Sequence, residues 1–369
     1  MKRILILILT AIQINSYCQE IDHEFVFTDT IQSKYLNESE IINIYLPPDY
    51  YNSKDKYPLQ VVLGGYSRTR LFYTINEYLS KTYQILDLNQ LHTIPETIIV
   101  GLRNAPSNNI ENFGKFIYNE VIPYIESKYR KTDYKSIIGH SFDGEFVLHN
   151  LFSIDSPFQS YICTAPTNSE YFRNQLNNEK TIELIKKSNR KLFLGASQMD
   201  YFYEENLKLI EALNKTDKGT FLFQSTIKTS DTHHTIFPNL MTDALLFIYK
   251  DWHFRVPESN PEKTTDLFIE HYEILSQKTG LELTPPEFDF YLLAYILDER
   301  KQLDEKIKLL KKCKEFYPEA ENAEAYLGRT YYMSGDLQNA ERYTDNALSL
   351  NPNNVFAKQT KKLIEKKKK

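Results

Sequence analysis

Ser141 stands in the segment KSIIGHSFDGEFVLHN (135–150), where a β-rich run ends in Gly139-His140-Ser141 and the following FDGEFVLHNLF reads as a helix. A serine between a strand and a helix, with glycine two residues before it, has the form of a nucleophile elbow. The sharp turn lifts the hydroxyl above a sheet and sets it at the positive end of the new helix. A serine hydroxyl is a weak nucleophile until a base takes its proton, so this chemistry requires a histidine and a carboxylate to orient it. Eight histidines are available. His23 lies too early, His92 and His253 lack suitable neighbours, and His271 belongs to a later helix. His140 directly precedes the serine and is expected to point away from it, while His149 falls two helical turns on. SDTHHTIFPNLMTDALLFIY sets His233 and His234 between a strand run and a helix. RKLFLGASQMDYFYEEN ends a strand at Ala196 and presents Asp200 four residues later, followed by Glu204 and Glu205. Asp200 either orients a histidine or joins those glutamates as an acidic helix start.

These residues need a scaffold, and the pattern supplies one. From His23 to about Arg255, short β-rich runs alternate with amphipathic stretches: IINIYL (41–46), LQVVLG (59–64), TIIVGL (97–102), KSIIGH (135–140), SYICTA (160–165), RKLFLGA (190–196) and FLFQSTI (221–227). Between them, FGKFIYNEVIPYIESKY (113–129) puts Phe116, Ile117, Val121, Ile122 and Ile125 on one helical face. Alternating strand and helix predicts an α/β fold with a mostly parallel sheet covered on both faces, whose sites form at the carboxyl ends of strands.

Over roughly residues 30–255 the chain resembles the esterase branch of the α/β-hydrolases, which includes enterochelin esterases, S-formylglutathione hydrolases, feruloyl esterases and mycolyltransferases. GHSFDG follows the family pattern GHSxGG except at Asp143, and YLPPDYYNSKDKYPLQVVLGGY resembles the family's opening strands and glycine loop. IPETIIVGLRN and IYNEVIPYIESKYR match further family segments. The resemblance implies an α/β-hydrolase fold and a serine esterase forming an acyl-enzyme on Ser141, with no metal or organic cofactor. It implies oxyanion donors at the backbone of Tyr66 and Phe142, although Gly64 replaces the family's usual aspartate. His233 fits the family's H-x-[ST]-[VI]-P loop, with Thr235 and Ile236 following, and a slip of one residue would select His234. Asp200 takes the place of the acid, giving the order serine, acid, histidine. Asp143 has two readings: a favourable charge in the first helical turn, or a carboxylate that opposes the oxyanion and leaves a weakened hydrolase fold serving as a binding or scaffold protein. The ester is not specified by these motifs; siderophore esters, thioesters and sugar esters all fall within the resemblance.

The remaining organisation follows from composition. At 369 residues, with 41% hydrophobic and 25% charged residues, the chain holds one large domain and a smaller one. A net charge of -5 gives no attraction for nucleic-acid phosphates. Lys2 and Arg3, the apolar run Ile4 to Ile14, and Ser16 and Cys18 before Gln19 read as a secretory signal peptide over 1–18, placing the mature chain in the periplasm or outside the cell. The run is too short for a membrane span. Cleavage would take the net charge to -7 and leave Cys163 and Cys313, which fall in different proposed domains; no disulfide or metal site is expected from them. The predicted domains are the hydrolase (19–255), a linker helix (256–285) and a helical region (286–369). In the last, Leu293, Ala294, Leu297, Leu303, Cys313 and Pro318 recur 34 residues later as Leu327, Gly328, Tyr331, Leu337, Ala347 and Pro352. That period and the segment AEAYLGRTYYMSGDLQNAERYTDNALSLNPNN resemble the tetratricopeptide repeat, implying a small all-α domain and a surface for a protein partner. Two repeats bury too little alone and are expected to pack on the preceding helix or on the hydrolase domain.

Overall fold

The computed structural model describes residues 26–368, apart from 49, 52, 82, 85–89, 93, 259–260 and 280–281. The expected signal peptide and His23 therefore lie outside the described residues. Eight strands form one sheet: β1 (Val26–Gln32), β2 (Ser39–Tyr45), β3 (Tyr57–Leu63), β4 (Ile98–Leu102), β5 (Lys131–His140), β6 (Ser160–Thr164), β7 (Lys191–Ser197) and β8 (Leu222–Lys228). Their spatial order is β1-β2-β4-β3-β5-β6-β7-β8. Pairing is antiparallel at β1/β2 and β2/β4 and parallel from β4 onward. This is the α/β-hydrolase architecture expected from the sequence. The seven β-rich runs each became a strand of this sheet; the pattern marked neither β1, whose Val26-Phe27-Thr28 start is only partly buried, nor a separate pair of short strands, Tyr83–Gln84 and Gln90–His92.

Alternation along the central strands feeds two cores. Val61, Ile137, Leu192 and Leu194 face one layer, and Val62, Ile138 and Phe193 the other, so both faces of the sheet are dry. Helices α1 (Gly65–Ser80), α2 (Ile110–Phe116), α3 (Ile122–Lys128), α4 (Phe142–Leu151), α5 (Ser169–Gln175), α6 (Glu179–Lys186), α7 (Tyr203–Lys215) and α8 (Ile236–Ile248) cover it. The single helix expected over 113–129 is interrupted by a π-helical turn, Ile117–Val121, between α2 and α3. The apolar face still holds, because Phe116, Ile117, Val121, Ile122 and Ile125 are all buried.

Beyond the sheet come α9 (Thr264–Thr279), α10 (Glu287–Glu299), α11 (Leu303–Phe316), α12 (Glu321–Ser334), α13 (Leu337–Leu350) and α14 (Val355–Lys368). The starts of α10 and α12, and of α11 and α13, are offset by the period read in the sequence. Gly328 permits a close approach: a Cβ there would fall on Thr344 Oγ1 and lie 3.0 Å from the Thr344 amide nitrogen and 3.2 Å from the Ala340 carbonyl. Lys306, whose counterpart one period later is Ala340, is accommodated while buried by an ion pair with Asp298. One continuous apolar cluster runs from Ile236 and Leu240 on α8 through Trp252, Phe254 and Phe268 to Phe290, Leu293, Leu309 and Leu327. The helices thus extend the core of the sheet. Cys163 and Cys313 are free and buried.

Candidate active site

The carboxyl ends of β5, β7 and β8 meet at one edge, and each is followed by one of the predicted chemical residues. Ser141 occupies the turn between β5 and α4 with φ 60° and ψ −121°, a conformation rare for a side-chain-bearing residue. Neighbouring groups hold it there. The Ser141 amide donates to the Thr164 carbonyl (3.0 Å), and the Ser141 carbonyl accepts from the amides of Glu145 (3.0 Å) and Thr167 (3.4 Å). Close packing under the turn explains its glycines. A Cβ on Gly139 would fall on the Asp143 carbonyl, and one on Gly144 would lie 3.1 Å from Cys163 Sγ.

His233 Nε2 is 2.9 Å from Ser141 Oγ, and its Nδ1 is 2.7 Å from Asp200 Oδ2. The Asp200 side chain is fully buried and also accepts from the Phe202 amide at 2.8 Å, which fixes the carboxylate. The histidine loop is held in turn by Asp231, whose Oδ1 accepts from Thr235 Oγ1 (3.2 Å) and Asn239 Nδ2 (2.6 Å), and whose carbonyl accepts from Ser197. Ile236 anchors the loop's end in the core. Of the two adjacent histidines, the structure brings His233 to the serine and leaves His234 exposed. Glu204 and Glu205 lie in the first turn of α7, apart from this relay.

The predicted oxyanion donors sit at helix starts. Phe142 opens α4 directly after Ser141, and Tyr66 is the second residue of α1, which follows Gly64 (φ 113°) and Gly65 (φ 77°). Amides in the first turn of a helix have no partner within it, and β3 and β5 are parallel neighbours, so both helix starts open at the same edge. Such a pair of fixed donors can stabilise a developing oxyanion.

His140 departs from expectation. Instead of turning away, its ring packs against His233 with centroids 4.6 Å apart, and its Nδ1 meets the Thr164 carbonyl (3.1 Å) and hydroxyl (3.0 Å). Burial, with the nearby Arg68 and His233, pushes its pKa down to about 3, so the ring is neutral at neutral pH. His149 faces Tyr171, Phe172 and Glu145, and His271 faces the Trp252 carbonyl.

Asp143 lies in the first turn of α4, as the first of its two readings expected, but it is buried there. Its buried carboxylate accepts from Arg68 Nη1 (2.5 Å), Asn104 Nδ2 (2.7 Å) and the Ala105 amide (2.8 Å). It is a helix-start carboxylate with partners, not an unpaired anion beside the serine. Sequence reasoning missed Arg68 and Asn104, and the only signal near them was the loss of a side chain at Gly64. Among the described residues, no group of three His, Cys, Asp or Glu side chains is arranged to hold a metal, and no helix is long and apolar enough to cross a membrane.

The family described as Putative esterase matches residues 33–238. An IroE-like serine hydrolase from Shewanella oneidensis is similar in structure at a TM-score of 0.67 and 21% identity, over 79% of this chain and 99% of its own. An uncharacterised protein from Capnocytophaga ochracea gives 0.61 and 16%, over 87% and 93%, so that likeness continues into the C-terminal helices. The BES protein from Bacillus cereus gives 0.52 and 20%, over 62% and 97%. No curated protein matches the chain.

Proposed function

The chain belongs to the Putative esterase family, a carboxylic ester hydrolase by that membership, and from this premise we propose that it is an exported serine esterase using Ser141, His233 and Asp200. The observation that carries the reading is the hydrogen-bonded relay from Ser141 Oγ through both nitrogens of His233 to Asp200, in the chain order serine, acid, histidine. Ser141 attacks the ester carbonyl while His233 Nε2 takes its proton. Asp200 keeps the other nitrogen protonated and offsets the charge of the imidazolium. The tetrahedral oxyanion is met by the amides of Tyr66 and Phe142, and His233 returns the proton to the departing alcohol. Water, activated by the same imidazole, then hydrolyses the acyl-enzyme. An acyl ester of the siderophore kind is among the substrates the family resemblance brings forward.

A fluorophosphonate probe tests this reading. It should label the wild-type protein at Ser141 and leave Ser141→Ala unlabelled, and an unlabelled wild type rejects the esterase. The alternative, a weakened hydrolase fold serving as a scaffold, drew on Asp143, whose carboxylate pairs with Arg68; an unlabelled wild type favours that alternative. Within this proposal the hydrolase spans 19–255, a linker helix 256–285 and tetratricopeptide-type hairpins 286–369, whose outer faces serve a protein partner. Export places the mature N-terminus near Gln19, in the periplasm or outside the cell; an exported protein whose intact mass retains Met1 contradicts it.

A further inference from the structure

Gly64 and Asp143, the two places where the motifs depart from the family pattern, meet through one side chain. Gly64 adopts φ 113°, and a Cβ on it would fall on the guanidinium of Arg68. The missing side chain is therefore the seat of that guanidinium. From this seat Arg68 Nη1 donates to the carbonyl of Leu63, the last residue of β3 (3.0 Å), and to Asp143 on the first turn of the nucleophile helix. Arg68 also lies against the ring of Phe237, 5.4 Å from its centroid, on the helix that follows His233. Asp143, 1% exposed, uses its remaining capacity on Asn104 and the Ala105 amide in the loop after β4. Two side chains thus join the glycine turn, the nucleophile helix, the 104–105 loop and the histidine helix.

We propose that Arg68 and Asp143 are a positioning pair for the reaction at Ser141: together they hold the Gly64–Tyr66 turn in register with the Ser141–Phe142 turn, so that both backbone donors meet one oxyanion. The inference rests on the esterase reading of the same site. Neither residue needs to touch the substrate. Asp143 ties down the 104–105 loop, and Arg68 neutralises the carboxylate that this tie puts one residue from the Phe142 amide. A buried ion pair that loses one partner leaves an uncompensated charge, so the two residues are not equivalent on removal. Losing Arg68 strands an anion beside the forming oxyanion. Replacing Asp143 by asparagine keeps the shape and an acceptor for Ala105 while removing the charge.

The test is a double-variant cycle on the full chain with an activated aryl ester, read as kcat, KM and affinity for a boronic acid that mimics the tetrahedral state. Because loss of one oxyanion donor costs about 10² to 10³ in kcat, Arg68→Met should lose about 10²-fold in kcat with KM nearly unchanged, and boronate affinity should fall in parallel. Asp143→Asn alone should stay within about tenfold of wild type, and adding it to Arg68→Met should recover about tenfold by removing the stranded anion. A role in stability alone leaves kcat per folded molecule and boronate affinity of Arg68→Met at their wild-type values. Wild-type kcat and boronate affinity in Arg68→Met, or a double variant no better than Arg68→Met, would overturn the pair. Should Arg68→Met not fold, Arg68→Lys keeps the charge but not the planar reach, and an unchanged kcat there overturns it equally. Turnover by Ser141→Ala equal to that of the wild type, in contrast, rejects the esterase reading itself.

Discussion

His140 offers a quantitative test of how the site controls charge. The residue is 4% exposed, and its Nε2 is buried with no hydrogen-bond partner among the described residues. With its pKa at about 3 in the folded protein, against ~6.5 for an ordinary histidine, the unfolded chain binds the extra proton between those two values. Stability must then fall as pH drops below the unfolded value, because only the unfolded state is favoured by the proton. At pH 5 the ordinary histidine is about 97% protonated and the buried one almost neutral, which corresponds to about 2 kcal/mol lost relative to pH 7. The perturbation is His140→Asn, whose amide can still reach Thr164. Urea unfolding at pH 7 and pH 5 should show the wild type losing about 2 kcal/mol more than the variant over that interval, with groups common to both cancelling. Equal losses in the two proteins, or an NMR titration of the His140 ring with a midpoint above pH 5, would refute the reasoning. In the proposed mechanism, a cationic ring 4.6 Å away would oppose proton uptake by His233, and the burial of His140 prevents that.

Three further outcomes follow from the geometry. His233→Ala should lower turnover by at least ~10² to 10⁴-fold, whereas His234→Ala should leave it within a few-fold; steady-state kinetics on an aryl ester decide between them. Gly139→Ala forces a methyl group against the Asp143 carbonyl, and thermal melting should show a loss of about 1 to 3 kcal/mol or a failure to fold. Cys163 is fully buried with its thiol pushed well above the usual pKa, so a thiol reagent should modify it only on unfolding, and rapid modification of the native protein would contradict its placement.

Much of the fold was legible because its signals are local. Each apolar run such as LQVVLG or RKLFLGA carries its own period and its own bounding turn, and the elbow at Gly139-His140-Ser141 is a single short segment. The 34-residue recurrence likewise compares the chain with itself, and the helix starts keep that register. The edge strand β1 was less visible, since half of its side chains meet solvent and leave a weak pattern. The π-turn at Ile117–Val121 was invisible, because one extra residue in a helical ring barely disturbs the apolar stripe.

The sequence by itself determined the sheet, the position of the serine turn and a short set of residues able to serve it. Only the tertiary structure decided how those residues and their neighbours meet: Ser141 and His233 are 92 positions apart, and Arg68 and Asp143 are 75 apart. The approach of His233 rather than His234 to Ser141, the turn of His140 toward His233 and the pairing of Asp143 depend on where separate loops arrive at one edge of the sheet. Local preference sets the path of each segment, but the direction of a side chain at a loop end is fixed by packing against segments distant in the chain. That information is absent from any short stretch of sequence and exists only once the core has closed.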